Sequence, residues 1–180
     1  MKYFRIFGMA LALNLVLAFT IEARDFNGAA ARGLSFGLSW MRFDLGYEFT
    51  ADSDGVVAAP ALDLSYLDKS GLGIDLSVAA VREPDAFYSF GGGTISAGIL
   101  YRIPNSVVLL KGGWTHFGGG DGDGGTTKAG GPYLGLATML RTYKHLGIRA
   151  DLSVHRFSRY LTEPVYGFKV RLGIMFLPGS

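Results

Sequence analysis

The chain has 180 residues, enough for one domain, and its formal net charge of +2 is spread without a basic stripe, which argues against a nucleic-acid-binding surface. It has no cysteine, hence no disulfide framework, thiolate metal site or cysteine nucleophile. Hydrophobic residues make up 49%, yet no run beyond the first two dozen residues is long and apolar enough for a transmembrane helix, so either a soluble all-β core or a transmembrane barrel is expected.

Residues 1–23 have the three parts of a secretory signal. Lys2 and Arg5 supply the positive start, Met9 to Phe19 form an apolar run broken only by Asn14, and Ile21-Glu22-Ala23 offers a small residue at the cleavage position. Cleavage is expected near Ala23, leaving a lead-in segment over 24–32 and one domain over 33–177.

From about residue 33 the chain alternates apolar and polar residues, the period of strands with two unlike faces. The first strand changes phase. Leu34, Phe36, Leu38 and Trp40 share one parity, and Met41, Phe43, Leu45, Tyr47 and Phe49 the other, so a bulge near Trp40–Met41 is expected. Leu62, Leu64 and Tyr66 then alternate with Asp63, Ser65 and Leu67, and Leu72, Ile74, Leu76 and Val78 with Gly73, Asp75, Ser77 and Ala79. Thr94 to Ile103 follows, with Ile95, Ala97, Ile99 and Tyr101 opposite Ser96, Gly98 and Arg102. Val108, Leu110 and Trp114 oppose Lys111, Gly113 and Thr115. Leu134, Leu136 and Leu140 oppose Tyr133, Gly135, Ala137 and Arg141. The two cleanest strands close the chain, Leu146 to Phe157 and Tyr166 to Phe176.

The count is eight, and the connections alternate in length. Residues 68–71, Pro104-Asn105 and 142–145 are short. Residues 51–55, 82–86, 118–131 and 158–164 are longer and more polar. Short turns on one side and long loops on the other are the pattern of an all-β, eight-stranded, antiparallel, up-and-down transmembrane β-barrel.

Size decides which face points inward. An eight-stranded barrel is just wide enough for side chains to fill it. Leu, Ile, Val, Phe, Tyr and Trp at nearly every apolar position are too much volume for that lumen at native density. The apolar face is therefore expected outward, where only lipid makes it favourable, rather than inward as in a soluble lipocalin-like binder. Aromatics near strand ends are expected at the membrane interfaces: Tyr47, Phe49, Trp114, Phe117, Phe157 and Tyr166 by the long loops, and Tyr66, Tyr101, Tyr143 and Phe176 by the short turns or the C-terminus. The polar face would then hold a lumen charge network of Arg42, Asp44, Glu48, Asp63, Asp75, Arg102, Lys111, Arg141, Arg149, Asp151, His155, Lys169 and Arg171, because buried charges persist only when paired.

On these features residues 33 to 177 resemble the small outer-membrane barrels of the OmpA/OmpX type. The resemblance is architectural and lies in strand count, loop alternation and the outward apolar pattern. Tyr166-Phe168-Val170-Leu172-Ile174-Phe176 looks like that family's C-terminal assembly signal, except that Leu177-Pro178-Gly179-Ser180 follow it. The resemblance implies a bacterial outer-membrane location after export, delivery by the barrel assembly machinery, and contact with outer-membrane lipid and lipopolysaccharide. A monomer is expected.

Chemistry is harder to place. Some such barrels modify lipid A with His, Ser and a carboxylate near the outer rim, and the candidates here are His155, Ser153, Ser158, Asp151 and Glu163. Residues two apart on one strand face stand about 7 Å from each other, so Ser153, His155 and Asp151 are not expected to form a triad within their strand. Asp121-Gly122-Asp123-Gly124 fails the calcium-loop pattern, since Gly125 stands at the third ligand position and the bidentate Glu is missing. No metal, cofactor or catalytic residue is expected. The leading expectation is a structural or surface-interaction protein with a side-chain-filled lumen, acting through its outward loops. The alternatives are a lipid A-modifying enzyme with a rim site near His155, and a small, porin-like anion-preferring pore.

Overall fold

The computed structural model describes residues 32–46, 55–82, 91–120, 126–158 and 164–178. The expected signal over 1–23 and most of the lead-in lie outside them, as do Tyr47, Glu48, Phe49 and Glu163.

The described chain is eight strands: β1 (Gly33–Gly46), β2 (Gly55–Leu67), β3 (Leu72–Arg82), β4 (Gly91–Arg102), β5 (Val108–Gly120), β6 (Thr126–Tyr143), β7 (Leu146–Phe157) and β8 (Val165–Phe176). Each pairs antiparallel with its sequence neighbour, and β1 pairs with β8 from Phe36↔Phe176 to Gly46↔Tyr166, closing the barrel. Closure leaves no sheet edge, so the ladder satisfies its own backbone groups.

Alternation sorts the side chains as the sequence predicts. Leu38, Leu62, Ile99, Leu134 and Ile174 are exposed outside, while Ser65, Asp75, Lys111, Asp151 and Arg171 are buried inside. On β6 and β7 the outward row is covered at Thr138, Leu140, Ala150 and Leu152.

The first strand corrects the sequence reading. Its register runs without a break from Gly33↔Leu67 to Leu45↔Gly55, and from Phe36↔Phe176 to Gly46↔Tyr166, so there is no bulge at Trp40–Met41. The parity of Leu34 to Trp40 continues, which turns Met41 inward and Arg42 outward. The apolar residues that suggested a phase flip include inward ones. The register shift lies instead between Arg141 and Tyr143, just before the turn into β7.

The strands also outrun their predicted ends on the long-loop side. Much of the expected 118–131 loop is ladder: Gly118↔Lys128, Gly119↔Thr127 and Gly120↔Thr126 pair, and Gly91 to Gly93 pair with Gly120 to Gly118. These glycines carry no side-chain pattern, so alternation could not reveal them. β6 reaches 18 residues, well beyond the roughly 9–11 that cross a bilayer. At the other end the turns are tight. Gly71 adopts φ +90°, and Asn105, after Pro104, takes φ 56°, a left-handed conformation that Asn tolerates.

Candidate functional site

The lumen is layered. At its middle sits an ion-pair cluster drawn from β2, β3, β5, β7 and β8. Arg149 donates from Nη1 to Asp75 Oδ1 at 2.8 Å and from Nη2 to Asp75 Oδ2 at 2.7 Å. The same Nη1 reaches Ser65 Oγ at 2.8 Å, and Nε reaches Asp151 at 3.0 Å. Arg171 bridges Asp63 and Asp151 and lies 3.4 Å from Asp75. Lys111 Nζ lies 3.4 Å from Asp75 and 3.3 Å from Asp151. Ser65 donates to Asp75 and Ser39 to Asp63. Every charged side chain in these pairs is at most 3% exposed. In so dry a place a lone charge would be costly, and reciprocal pairing with added hydroxyl donors makes the cluster tenable.

A polar and aromatic tier stands on the long-loop side of this cluster. Tyr133 and His155, register partners on β6 and β7, stack with centroids 5.0 Å apart, and His155 stacks in turn on Phe157 at 5.8 Å. Lys111 and Lys169 ammonium groups lie 5.4 and 5.8 Å from the Tyr133 centroid, within cation–π range. Lys169 Nζ is 3.4 Å from Ser96 Oγ, which meets Thr115 Oγ1 at 2.9 Å. Tyr133 crosses Gly113 to lay its hydroxyl over Gly98, where an added Cβ would overlap it.

Apolar clusters stand toward both ends. Met41, Ala59, Ala61, Ala79, Phe117, Ala129 and Phe157 gather toward the long-loop end. Leu67, Leu100, Leu109, Ala137, Met139, Met175 and Leu177 gather toward the short-turn end. The sequence reading expects a polar lumen and does not include these clusters. Their signal was present: Leu67 shares the parity of Asp63 and Ser65, Phe117 that of Lys111 and Thr115, and Phe157 that of Asp151 and His155.

The predicted site residues therefore divide. Asp63, Asp75, Lys111, Arg149, Asp151 and Arg171 form the cluster, and His155 and Lys169 stand in the tier above it. Arg42 does not belong inside; unbroken alternation turns it outward. Arg102 and Arg141 share the inward parity but fall where the strands end, so they are half-buried at the short-turn mouth rather than in the cluster. The side chain of Asp44 and all of Glu48 lie outside the described residues.

Of the aromatics, Tyr66, Tyr101, Trp114, Tyr143 and Phe176 are exposed on the outer wall, and Tyr166 is half-buried. Phe117 and Phe157, expected at the interface, are buried and belong to the apolar cluster toward the long-loop end. Position near a strand end does not override parity.

Ser153 Oγ and His155 Nε2 are 2.9 Å apart, closer than strand spacing implies. Spacing along the strand sets the Cα positions, but the imidazole is long enough to lean back toward Ser153. No triad results, because Asp151 is engaged with Arg149, Arg171 and Lys111. Nor is this a rim site. His155 is fully buried, stacked beneath Phe157 in the plug.

The outer wall near the long loops carries a different set of donors. Arg42 on β1, His116 on β5, Lys128 on β6 and Arg156 on β7 are all exposed there. Trp114 Nε1 and His116 Nδ1 lie 3.3 and 3.6 Å from the point a Cβ on Gly130 would occupy, so both converge over a residue with no side chain.

No family model matches the chain, and no curated protein sequence does. Solved structures do resemble it. Neisserial surface protein A is 13% identical, with a TM-score of 0.62 over 82% of this chain and 99% of that one. The attachment invasion locus protein Ail of Yersinia pestis, solved with the heparin analogue sucrose octasulfate, is 18% identical, with a TM-score of 0.57 over 81% and 98%. A major outer membrane protein of Thermus thermophilus is 17% identical, with a TM-score of 0.52 over 81% and 99%. The chain thus has the fold of eight-stranded outer-membrane β-barrels.

Proposed function

We propose that this chain is a sealed bacterial outer-membrane barrel that works through its outward surface rather than its lumen. The observation that carries this is the layering of the interior. An ion-pair cluster lies between two apolar plugs, so a hydrated solute would have to cross dry hydrocarbon twice and break buried ion pairs between. That weighs against the anion-preferring pore, and the burial of His155 beneath Phe157 weighs against an enzyme at the rim.

The outer wall supports the membrane placement. Exposed Leu, Ile, Val and aromatic side chains form a band around the barrel, and water does not stabilise so large a contiguous apolar surface. Export by a signal over residues 1–23, insertion by the barrel assembly machinery and a monomeric state belong to the same reading. Lipopolysaccharide is its nearest partner. Its phosphates match Arg42, His116, Lys128 and Arg156, which stand where the wall meets the long loops.

The test is to express the chain with its leader, isolate outer membranes, and compare unheated with heated samples on a detergent gel. Protease added to intact cells should cut in the long connections and spare the short turns. A water-soluble product with no mobility shift would reverse the faces and the reading with them.

A further inference from the structure

β8 ends at Phe176, whose ring is exposed on the outer wall. The next residue, Leu177, lies past the strand and is nonetheless wholly buried. Alternation explains its direction. Arg171, Gly173, Met175 and Leu177 are successive inward positions leading from the ion-pair cluster toward the short-turn mouth, so on this strand Leu177 stands nearest the mouth. It belongs to the apolar cluster of Leu67, Leu100, Leu109, Ala137, Met139 and Met175.

The turn between β6 and β7 grips it. The Leu177 amide donates to the His145 carbonyl at 2.8 Å, and His145 Nδ1 lies 3.2 Å from the Leu177 carbonyl oxygen. The His145 ring also tilts against the Phe176 ring, with centroids 6.1 Å apart. One turn residue thus holds Leu177 through main chain and side chain and touches the residue before it. The hold does not propagate along the chain, because Pro178 is exposed and has no amide proton to donate.

The layer just inside favours hydration. Arg141, Gly147 and Met175 are in register across β6, β7 and β8, and Gly147 puts no side chain between the other two. The Arg141 Nε in that layer is buried without a hydrogen-bond partner. An unmet guanidinium donor favours any state that admits water to it.

We propose that Leu177 is a detachable stopper of the short-turn mouth, clasped by His145, which swings out and re-seats while the strands stay paired. Seated, it keeps water from the apolar layer behind it. Withdrawn, it wets that layer and the Arg141 guanidinium. The device acts at one end only, so its release leaves the ion-pair cluster and the long-loop cluster in place. It rests on the sealed-lumen reading above, for the short-turn end alone.

The protein's own methionines report the wetting. Met139 and Met175 lie in the short-turn cluster and Met41 in the long-loop cluster, each at most 2% exposed, and peroxide converts an accessible thioether to the sulfoxide. The experiment treats the purified full chain in detergent micelles with hydrogen peroxide and follows sulfoxide at each methionine by peptide mass spectrometry. The heated-gel mobility shift reports folding of each variant. In the wild type all three should oxidise slowly. Leu177→Ala should speed oxidation of Met139 and Met175 by roughly tenfold or more, since the seated state loses three buried carbons, and should leave Met41 unchanged. His145→Ala should act in the same direction. His145→Asn, whose amide nitrogen can replace Nδ1 toward the Leu177 carbonyl, should keep the wild-type rates.

Fast oxidation of Met139 and Met175 in the wild type would overturn both the stopper and the dry end on which it rests. Slow wild-type oxidation that Leu177→Ala does not change, or that rises equally at Met41, would overturn the stopper alone. Were Leu177→Ala not to fold, the two His145 variants decide, and equal rates in both would overturn the clasp.

Discussion

Arg149 of β7 and Asp75 of β3 stand on opposite walls of the barrel and meet in two parallel contacts, at 2.8 and 2.7 Å. In an eight-strand cylinder β3 and β7 are as far apart in strand order as two strands can be. The pair therefore ties the barrel across its diameter, and the neighbouring contacts of Arg171 and Lys111 cross-brace it.

Breaking that tie from one side leaves a buried charge with fewer partners. Arg149→Met should destabilise the barrel by about 3–5 kcal/mol, read as a lower denaturant midpoint in micelles. Arg149→Met with Asp75→Asn should recover much of the loss, because it removes both charges. A double variant as unstable as the sum of the two single variants would mean the pair is not coupled.

Tyr133 and Gly98 make a second test. The Tyr133 hydroxyl lies over Gly98 with no hydrogen-bond partner. Tyr133→Phe should change stability by less than about 1 kcal/mol, since no bond is lost. Gly98→Ala should cost about 1–3 kcal/mol through overpacking, because the new methyl meets both that hydroxyl and the Gly112 carbonyl at 2.6 Å. Tyr133→Phe should not rescue a Gly98→Val variant, whose larger side chain still meets that carbonyl.

The turn after β2 predicts a pH dependence. The hydrogen bond from Ser70 holds the Asp68 carboxyl below its ordinary value, with the Leu72 amide assisting. A carboxylate depressed in the folded state stabilises the turn fully above the unfolded value near 3.9, and the contribution is lost as pH falls through the lower folded value. Hydrogen exchange at the Leu72 amide, corrected for its intrinsic pH dependence, should show protection that weakens in acid. Asp68→Asn should flatten that profile.

Much of this architecture was legible because a barrel writes its two faces into alternate residues. Ser153, Asp151 and Arg149 announce an inward face wherever register is unbroken. The sequence reading failed where alternation carries no contrast. Met41, which points inward, is as apolar as the outward Leu38 and Trp40, so hydropathy alone suggests a bulge there. Phe117 and Phe157 lie near strand ends, where position suggests the interface, but their parity points inward. The partnership of Arg149 with Asp75, 74 residues apart, depends on which strands oppose each other. No local pattern encodes that. The Gly118–Gly120 end of β5 has no side chains from which to read a face.

If the lumen is sealed, the purified barrel in a planar bilayer should give no steady single-channel conductance steps. Neither Phe157→Ala nor Leu100→Ala alone should create them, because the ion-pair cluster and the apolar cluster at the opposite end remain. Steady, anion-selective steps from the wild-type chain would show an open lumen and restore the pore.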